Sequence, residues 1–282
     1  MAEILIRPAR LEDKPDVLEI SATVWNGHDY IPAVWDSWVR EDPALGFLIA
    51  GEIDGKVVAL QHTNLQPGSV AWMEGIRVHP DYRQHGIAKA LLRRALDMAR
   101  ELGYIRSRLS TAQVNQASSA IALGNDFQEV AQFSLYSAPA ERTAAFNEAL
   151  PQPTEADLQA IREEFGDTAT LIADGWTAYD VPGQRSVGEY DLAAIHSNST
   201  GIEGVALARP EPERDRIALA YVDGTEEAIR DLGLRMRNHA ANQGFEEVAG
   251  TLRESPRVRA GLERAGYERN AELIMLVYER PL

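Results

Sequence analysis

The stretch from residue 72 to residue 102, WMEGIRVHPDYRQHGIAKALLRRALDMAREL, constrains the fold more than any other part of the chain. It reads as an apolar strand, a tight polar turn holding Arg83, Gly86 and Ala88, and a long amphipathic helix. In that helix Ile87, Leu91, Leu92, Ala95, Leu96, Ala99 and Leu102 recur at helical spacing and make one apolar stripe, and Gly103 suits its C-terminal cap. A strand feeding a polar turn at the head of a helix makes an anion site. The first-turn amides have no intrahelical acceptors, and the helix dipole adds positive potential. The expected occupant is a pyrophosphate.

Two common pyrophosphate loops are disfavoured, because neither G-x-G-x-x-G nor G-x-x-x-x-G-K-[ST] occurs between Val78 and Leu92. What stands there is Arg83-Gln84-His85-Gly86-Ile87-Ala88, behind a strand ending Val78-His79-Pro80. This R-x-x-G-x-A pattern resembles the coenzyme A loop of the GNAT acetyltransferase superfamily, [QR]-x-x-G-x-[GA]. The resemblance implies acetyl-CoA as the acetyl donor and an N-acetyltransferase activity. It also implies backbone contacts from Ile76, Arg77 and Val78 to the pantetheine, phosphate contacts along Arg83 to Ala88, and further contacts to the cofactor arm from Asn115 and Ser118.

Charge is distributed in a way that fits. The chain carries a net charge of -15, which argues against nucleic acid or an anionic membrane as a partner. Residues 77 to 108 nevertheless hold eight basic residues (Arg77, Arg83, Lys89, Arg93, Arg94, Arg100, Arg106, Arg108) against three acids (Asp81, Asp97, Glu101), a local +5. A phosphate-rich ligand would use such an island, and so would a solvated helix face with pairs such as Asp97 and Arg93. With no cysteine, disulfides, thiolate metal sites and a cysteine nucleophile are excluded. The six histidines (28, 62, 79, 85, 196, 239) show no metal-ligand spacing, so no metal is expected. The amino-terminal residues lack the pattern of a secretory signal and no stretch is apolar enough to span a membrane, which leads to the expectation of a cytoplasmic protein.

The order of elements predicts an α/β (α+β) fold. A strand at 3–7 and helices at 11–24 and around Val34 to Val39 precede strands at 47–52, 57–65 and 71–78. Asp54-Gly55 and Pro67-Gly68 mark the turns of this meander. After the helix come a strand at 104–110, parallel to 71–78 by a right-handed crossover, a small-residue helix at 115–123 and a strand at 127–136. That order resembles the GNAT fold independently of the loop. A weaker copy follows, with helix, strand and strand near 154–165, 204–208 and 217–222, then helix 225–243, strand 247–252, helix 256–265 and strand 273–278. We therefore expect two tandem GNAT-like domains, at 1–138 and 154–282 with a linker at 139–153. Each is a mixed, mostly antiparallel sheet flanked by helices. The second has Asp223-Gly224-Thr225-Glu226-Glu227 where a phosphate loop belongs, and carboxylates there repel phosphate. Its expected role is to cover the sheet edge or wall the acceptor pocket.

For the base, Glu74 stands out as the only acid in the strand before the loop. By alternation it shares a face with Trp72, Ile76 and Val78. Proton abstraction, binding of a substrate ammonium and a structural role all remain open for it. The family's closing helix begins with Asn and carries a Tyr that protonates the departing thiolate. Counting from Asn115, that Tyr falls on Ala122 and the family's Gly on Asp126, while Phe127 is in place. The general acid is thus open between Ser118, Ser119, Tyr136 and water. The run Gly27-x-Asp29-Tyr30-x-Pro32 with Trp38, together with Glu74-Gly75-x-Arg77-Val78, resembles histidine N-acetyltransferases and their relatives. That likeness implies a small-molecule amine as acceptor, such as a free amino acid, held near Trp25, Asp29, Tyr30, Trp35 and Glu74. A non-catalytic acyl-CoA-binding or sensing protein is the alternative, and a homodimer is open.

Overall fold

A computed structural model describes residues 4–142, 153–165, 171–180, 184–185, 187–199 and 201–282. The expected linker falls mostly outside these residues. Contacts divide the chain into two compact units. The first comprises the described residues of Met1–Ser110 with Asn115–Gln128 and Tyr278–Leu282, and the second comprises those of Thr111–Val114 and Glu129–Val277.

In the first unit the elements are β1 (Leu5–Pro8), α1 (Lys14–Ala22), α2 (Ile31–Val39), β2 (Gly46–Ile53), β3 (Lys56–Gln66), β4 (Val70–Val78), α3 (Ile87–Glu101), β5 (Arg106–Ala112) and α4 (Gln116–Leu123). The strands run in the order β1-β2-β3-β4-β5. All neighbours are antiparallel except β4 and β5, which the α3 crossover makes parallel. Asp54 and Gly55 turn the β2–β3 hairpin with φ of 51° and 83°, the left-handed pair that a two-residue turn needs to match strand twist.

Helices α1 and α2 bury Val17, Ile20, Ile31 and Trp35 against Leu48, Ala50, Val57 and Leu60 of the sheet. Each large side chain so buried contributes about 1.5–3 kcal/mol. The buried stripe of α1 runs through Val17, Ile20 and Ser21, and Leu18 is 42% exposed. Helix α3 buries Ile87, Leu91, Leu92, Ala95, Leu96 and Ala99 and packs on β2, β3 and β4. Leu102 departs from its expected place, because α3 ends at Glu101 and leaves it as an exposed cap before Gly103, whose φ is 85°.

The second unit contains most of β6 (Gln128–Pro139), then α5 (Glu155–Phe165), β7 (Leu171–Asp174), β8 (Thr177–Asp180), β9 (Leu192–Asn198), β10 (Gly201–Glu211), β11 (Arg216–Gly224), α6 (Glu226–Gln243), β12 (Glu247–Arg253), α7 (Pro256–Arg264) and most of β13 (Glu268–Pro281). Its sheet runs β13-β6-β12-β11-β10-β9, with β7 and β8 as a separate hairpin. The register Arg253↔Phe133 to Glu247↔Pro139 places β6 antiparallel to β12, which is why residues from 129 count with this unit. The succession β9-β10-β11-α6-β12-α7-β13 repeats β2-β3-β4-α3-β5-α4-β6, including a parallel pair bridged by the long helix. After α4 and α7 the chain takes a left-handed residue, Asp126 (φ 63°) and Gly266 (φ 81°), and then buries an aromatic ring, Phe127 and Tyr267. No helix among the described residues is long and apolar enough to cross a membrane.

Candidate active site

The site begins with a fault in a ladder. His62 pairs with Glu74 but Leu60 pairs with Arg77, so Gln61 alone faces both Gly75 and Ile76, and β4 carries a bulge there. Gly75 makes it possible. Its φ is 65°, and a Cβ at this position would lie 2.8 Å from the Trp38 ring. Cross-strand partners share a sheet face, as do residues two apart on a regular strand. Leu60 and His62 therefore bring Arg77 and Glu74 to one face. The simple alternation that groups Glu74 with Ile76 and Val78 fails beyond the bulge, although Trp72, opposite Asn64, stays in phase.

Glu74 is held by a histidine that spacing alone does not reveal. His62 Nδ1 lies 2.9 Å from Glu74 Oε1, and its Nε2 lies 2.7 Å from Glu41 Oε2. The imidazole is 1% exposed, while the Glu74 and Glu41 side chains are 28% and 18% exposed. Trp38 stacks flat on the imidazole, with centroids 4.1 Å apart and planes 4° from parallel. One clue lies in the sequence: His62 and Glu74 stand six residues either side of Gly68, the centre of the Pro67-Gly68 turn. Glu41 follows α2, and nothing in the primary pattern links it to His62.

Beside this cluster Arg77 binds Asp29 through two hydrogen bonds, Nε to Oδ2 at 3.0 Å and Nη2 to Oδ1 at 2.8 Å, and donates from Nη1 to Ile76 O at 2.9 Å. Its guanidinium sits 4.9 Å from the Trp25 ring centroid and 5.4 Å from that of Tyr30. Trp25 and Tyr30 stack at 6.4 Å, and Tyr30 meets Trp38 edge-on at 6.0 Å. Two expected acceptor contacts are thereby corrected. The Asp29 side chain is 1% exposed and engaged by Arg77, and Trp35 is wholly buried in the core, so neither is free to touch an acceptor. Trp25 and Tyr30 are 61% and 39% exposed. Burial pushes the Tyr30 hydroxyl up to about 12, against the charge of Arg77 and helped by Glu74, so it stays a neutral donor.

At the far end of β4 the loop from His79 to Gly86 opens before α3 begins at Ile87. Gly86 caps the helix at φ 76°, and a Cβ there would meet nothing within 4 Å. Arg83, Gln84, His85 and Gly86 are exposed, Ile87 is buried and Ala88 is half-buried. Arg83 Nε donates to Val78 O at 3.1 Å, so its side chain folds the loop back on the end of β4. Most of the basic island is paired with carboxylates of the first unit. Arg77 pairs with Asp29, Arg94 with Glu101, Arg100 with Asp97, and Arg106 and Arg108 with Glu279. Arg83, Lys89 and Arg93 are left without a carboxylate partner among the described residues, and all three lie on the loop or the first two turns of α3.

Asn115 caps α4, its Oδ1 accepting from Ser118 N at 3.2 Å. Ala122 is fully buried, so that position offers no acid. The Ser119 hydroxyl is buried in α4 with no hydrogen-bond partner among the described residues. Tyr136 belongs to the second unit, where its hydroxyl donates to Glu254 at 3.1 Å and is pushed up to about 12 by burial and by that carboxylate. In the second unit the counterpart of the loop is absent. Only Thr225 separates β11 from α6, and Gly224 packs so tightly that a Cβ would lie 2.2 Å from Glu203 O. Thr225 Oγ1 caps α6 by accepting from Ala228 N, and Glu226 and Glu227 pair with Arg264.

A bulged central strand, an open loop at a helix head and a carboxylate beside the bulge thus stand together in the first unit. Residues 12–123 match the acetyltransferase (GNAT) family, and this part of the chain is a GNAT acetyltransferase domain. Over 120 residues, 42% of this chain, it is 29% identical to histidine N-acetyltransferase of Scomber australasicus, and that match covers 33% of the fish protein. It is also 29% identical over 147 residues to aminoglycoside N(6')-acetyltransferase type 1 of Klebsiella aerogenes, covering 48% of this chain and 96% of that one. The chain thus spans only about a third of the length of the histidine N-acetyltransferase it matches. A putative acetyltransferase from Thermoplasma acidophilum superposes over 99% of this chain and 100% of its own, with a TM-score of 0.59 at 15% identity, a likeness in fold.

Proposed function

We propose that this protein is an N-acetyltransferase that moves an acetyl group from acetyl-CoA to the amine of a small molecule by direct attack on the thioester. One observation carries the reading. A single strand, β4, ends in the open loop at Gly86 and is interrupted at Gly75 and Ile76, with Glu74 immediately before the interruption. A pyrophosphate on the amides of Gln84 to Ala88 would lay the pantetheine along Ile76 to Val78 and set the thioester beside the bulge. A backbone amide freed from the ladder there can donate to the carbonyl oxygen as negative charge builds on it.

Glu74 is then the base. The amine's nitrogen forms a bond to the carbonyl carbon, its proton passes to Glu74, and the carbon–sulfur bond breaks to release the thiolate, which takes up a proton. The acceptor sits where Trp25 and Tyr30 are open beside Glu74, and their aromatic faces suit a cationic amine before it is deprotonated. Histidine or another free amino acid is the leading acceptor, on the likeness to histidine N-acetyltransferase, and an aminoglycoside is next, on the likeness to the bacterial enzyme. We place one working site in the chain, in the first unit.

The absence of a hydroxyl at Ala122 favours one rival, a protein that binds acyl-CoA without turning it over. Incubation with acetyl-CoA and a panel of histidine, other amino acids, spermidine and kanamycin, followed by thiol release, separates the two. The enzyme reading expects stoichiometric thiol and acetylated amine with at least one acceptor. Tight coenzyme A binding with no thiol release from any of them favours the rival.

A further inference from the structure

We propose that the acceptor is an α-amino acid recognised by its carboxylate as well as its amine, with Arg77 and the Tyr30 hydroxyl holding the carboxylate while the amine lies at Glu74. This rests on the reading of the first unit as an acetyltransferase with Glu74 as its base, and it decides between acceptor classes which that reading leaves side by side.

The guanidinium of Arg77 is only partly used. A guanidinium has five N–H groups in a planar fork. Asp29 takes one from Nε at 3.0 Å and one from Nη2 at 2.8 Å, and Ile76 O takes one from Nη1 at 2.9 Å. The other two, one on Nη1 and one on Nη2, meet no carboxylate or carbonyl oxygen within hydrogen-bond distance among the described residues. Asp29 occupies the edge of the fork that includes Nε, and the Arg77 side chain keeps 13% exposure, so N–H donors remain for a second carboxylate. Tethering Asp29 alone would not require them.

The bulge gives these donors their use. In an unbroken strand Arg77, three residues from Glu74, would face the other way. The slip at Gly75 puts both on one face, opposite Leu60 and His62, and so they leave the sheet roughly 7 Å apart along it. An anion and a cation thus stand close together beside the exposed rings of Trp25 and Tyr30. An α-amino acid carries the complementary pair, ammonium and carboxylate on a single carbon. A polyamine or an aminoglycoside brings only cations and would meet Arg77 with like charge. The Tyr30 hydroxyl lies within the field of Arg77, Glu74 and Asp29, and burial keeps it an O–H donor. Asp29 repels a second carboxylate at Arg77, which limits the preference to that of a charge-assisted hydrogen bond, about 10–100-fold.

The test varies the acceptor before the protein. The full-length chain is assayed for thiol release with acetyl-CoA and the common amino acids, and the best of them is compared with its decarboxylated amine and its carboxamide. The carboxamide is less basic at the reacting nitrogen than the amino acid and the decarboxylated amine more basic, so basicity does not produce a loss in both. Each analogue is expected to lose about 10–100-fold in kcat/KM, mostly in KM. Arg77→Lys should shrink that ratio to within about threefold, and Tyr30→Phe should lower it about three- to tenfold. Where Arg77→Lys does not fold by circular dichroism, Tyr30→Phe and the analogue series on the parent decide. Analogues accepted as well as the amino acid, a ratio unchanged in the folded variants, or turnover of kanamycin or spermidine with no amino acid overturns the proposal and leaves the acetyltransferase reading standing. Thiol release from no acceptor at all defeats that reading instead, and binding then settles the carboxylate. Titration of tryptophan fluorescence with histidine and histamine, in the presence of coenzyme A, is expected to show histidine about tenfold tighter or more. Equal affinity, or none for either, overturns the proposal.

Discussion

Arg77 grips Asp29 with two guanidinium nitrogens, at 3.0 and 2.8 Å, and so ties the bulged strand β4 to the segment between α1 and α2 across 48 residues of sequence. The Asp29 side chain is 1% exposed and that of Arg77 13%, so removing either partner strands a buried charge. Arg77→Ala is expected to cost about 3–5 kcal/mol of stability. Arg77→Lys, which keeps the charge but not the planar fork, is expected to lose about 1–2 kcal/mol. Chemical denaturation of both, with Asp29→Asn and the double variant, would give the coupling energy. A coupling near zero would show that the pair is not what anchors this segment.

Gly75 is the residue that lets Trp38 reach His62. Gly75→Ala combines a left-handed φ of 65° with a Cβ 2.8 Å from the indole. The backbone strain is about 1–2 kcal/mol and the overpacking adds about 1–3 kcal/mol. The expected result is a lower melting temperature together with altered tryptophan fluorescence, since the ring must move off His62.

Gly86 differs, because a Cβ there meets nothing within 4 Å. Gly86→Val should therefore cost only the strain of φ 76°, about 1–2 kcal/mol, while blocking the approach of phosphate to the loop amides. Calorimetry is expected to give one coenzyme A per parent chain and none for the variant. Two per parent chain would revive a site at the head of α6, where a single residue now separates strand from helix.

Asp13 makes one source of acid sensitivity explicit. Burial pushes its carboxyl up, but the hydrogen bonds from Arg7 and the Arg10 amide outweigh this and hold it below its ordinary 3.8. A carboxylate depressed in the folded state stabilises above its unfolded pKa, and this stabilisation is lost as pH falls through the folded value. Asp13→Asn should thus be less stable than the parent near pH 7, with the gap closing below about pH 4. Urea midpoints across that range check it. A gap independent of pH would mean that the contact acts by shape alone.

Much of the architecture was legible in the residues because local periodicity reports local structure. The strand, loop and helix from Trp72 to Glu101, the hairpin at Asp54-Gly55 and the small-residue helix after Asn115 follow from side-chain spacing and turn chemistry, which act over a few residues. The strands β7, β8 and β9 were not legible, since they are short and have no marked alternation. The site was half legible. Glu74 and Gly86 were visible from their place in the strand and the loop. His62 was passed over, because its partners stand 12 and 21 residues away and no short motif joins them.

By itself, then, the amino-acid order determined the kind of elements, their succession, the loop that suits a phosphate and the missing hydroxyl at Ala122. Each depends on neighbours within a turn or a strand. The tertiary structure alone decided which side chains meet. The bulge at Gly75 shifted the phase of β4 by one residue and brought Arg77 round beside Glu74. The β3–β4 register put His62 against Glu74, and the end of α2 brought Glu41 to close the cluster. A one-residue change of phase exchanges the faces of a strand, and so the pairing register, which no local pattern encodes, chose the composition of the site.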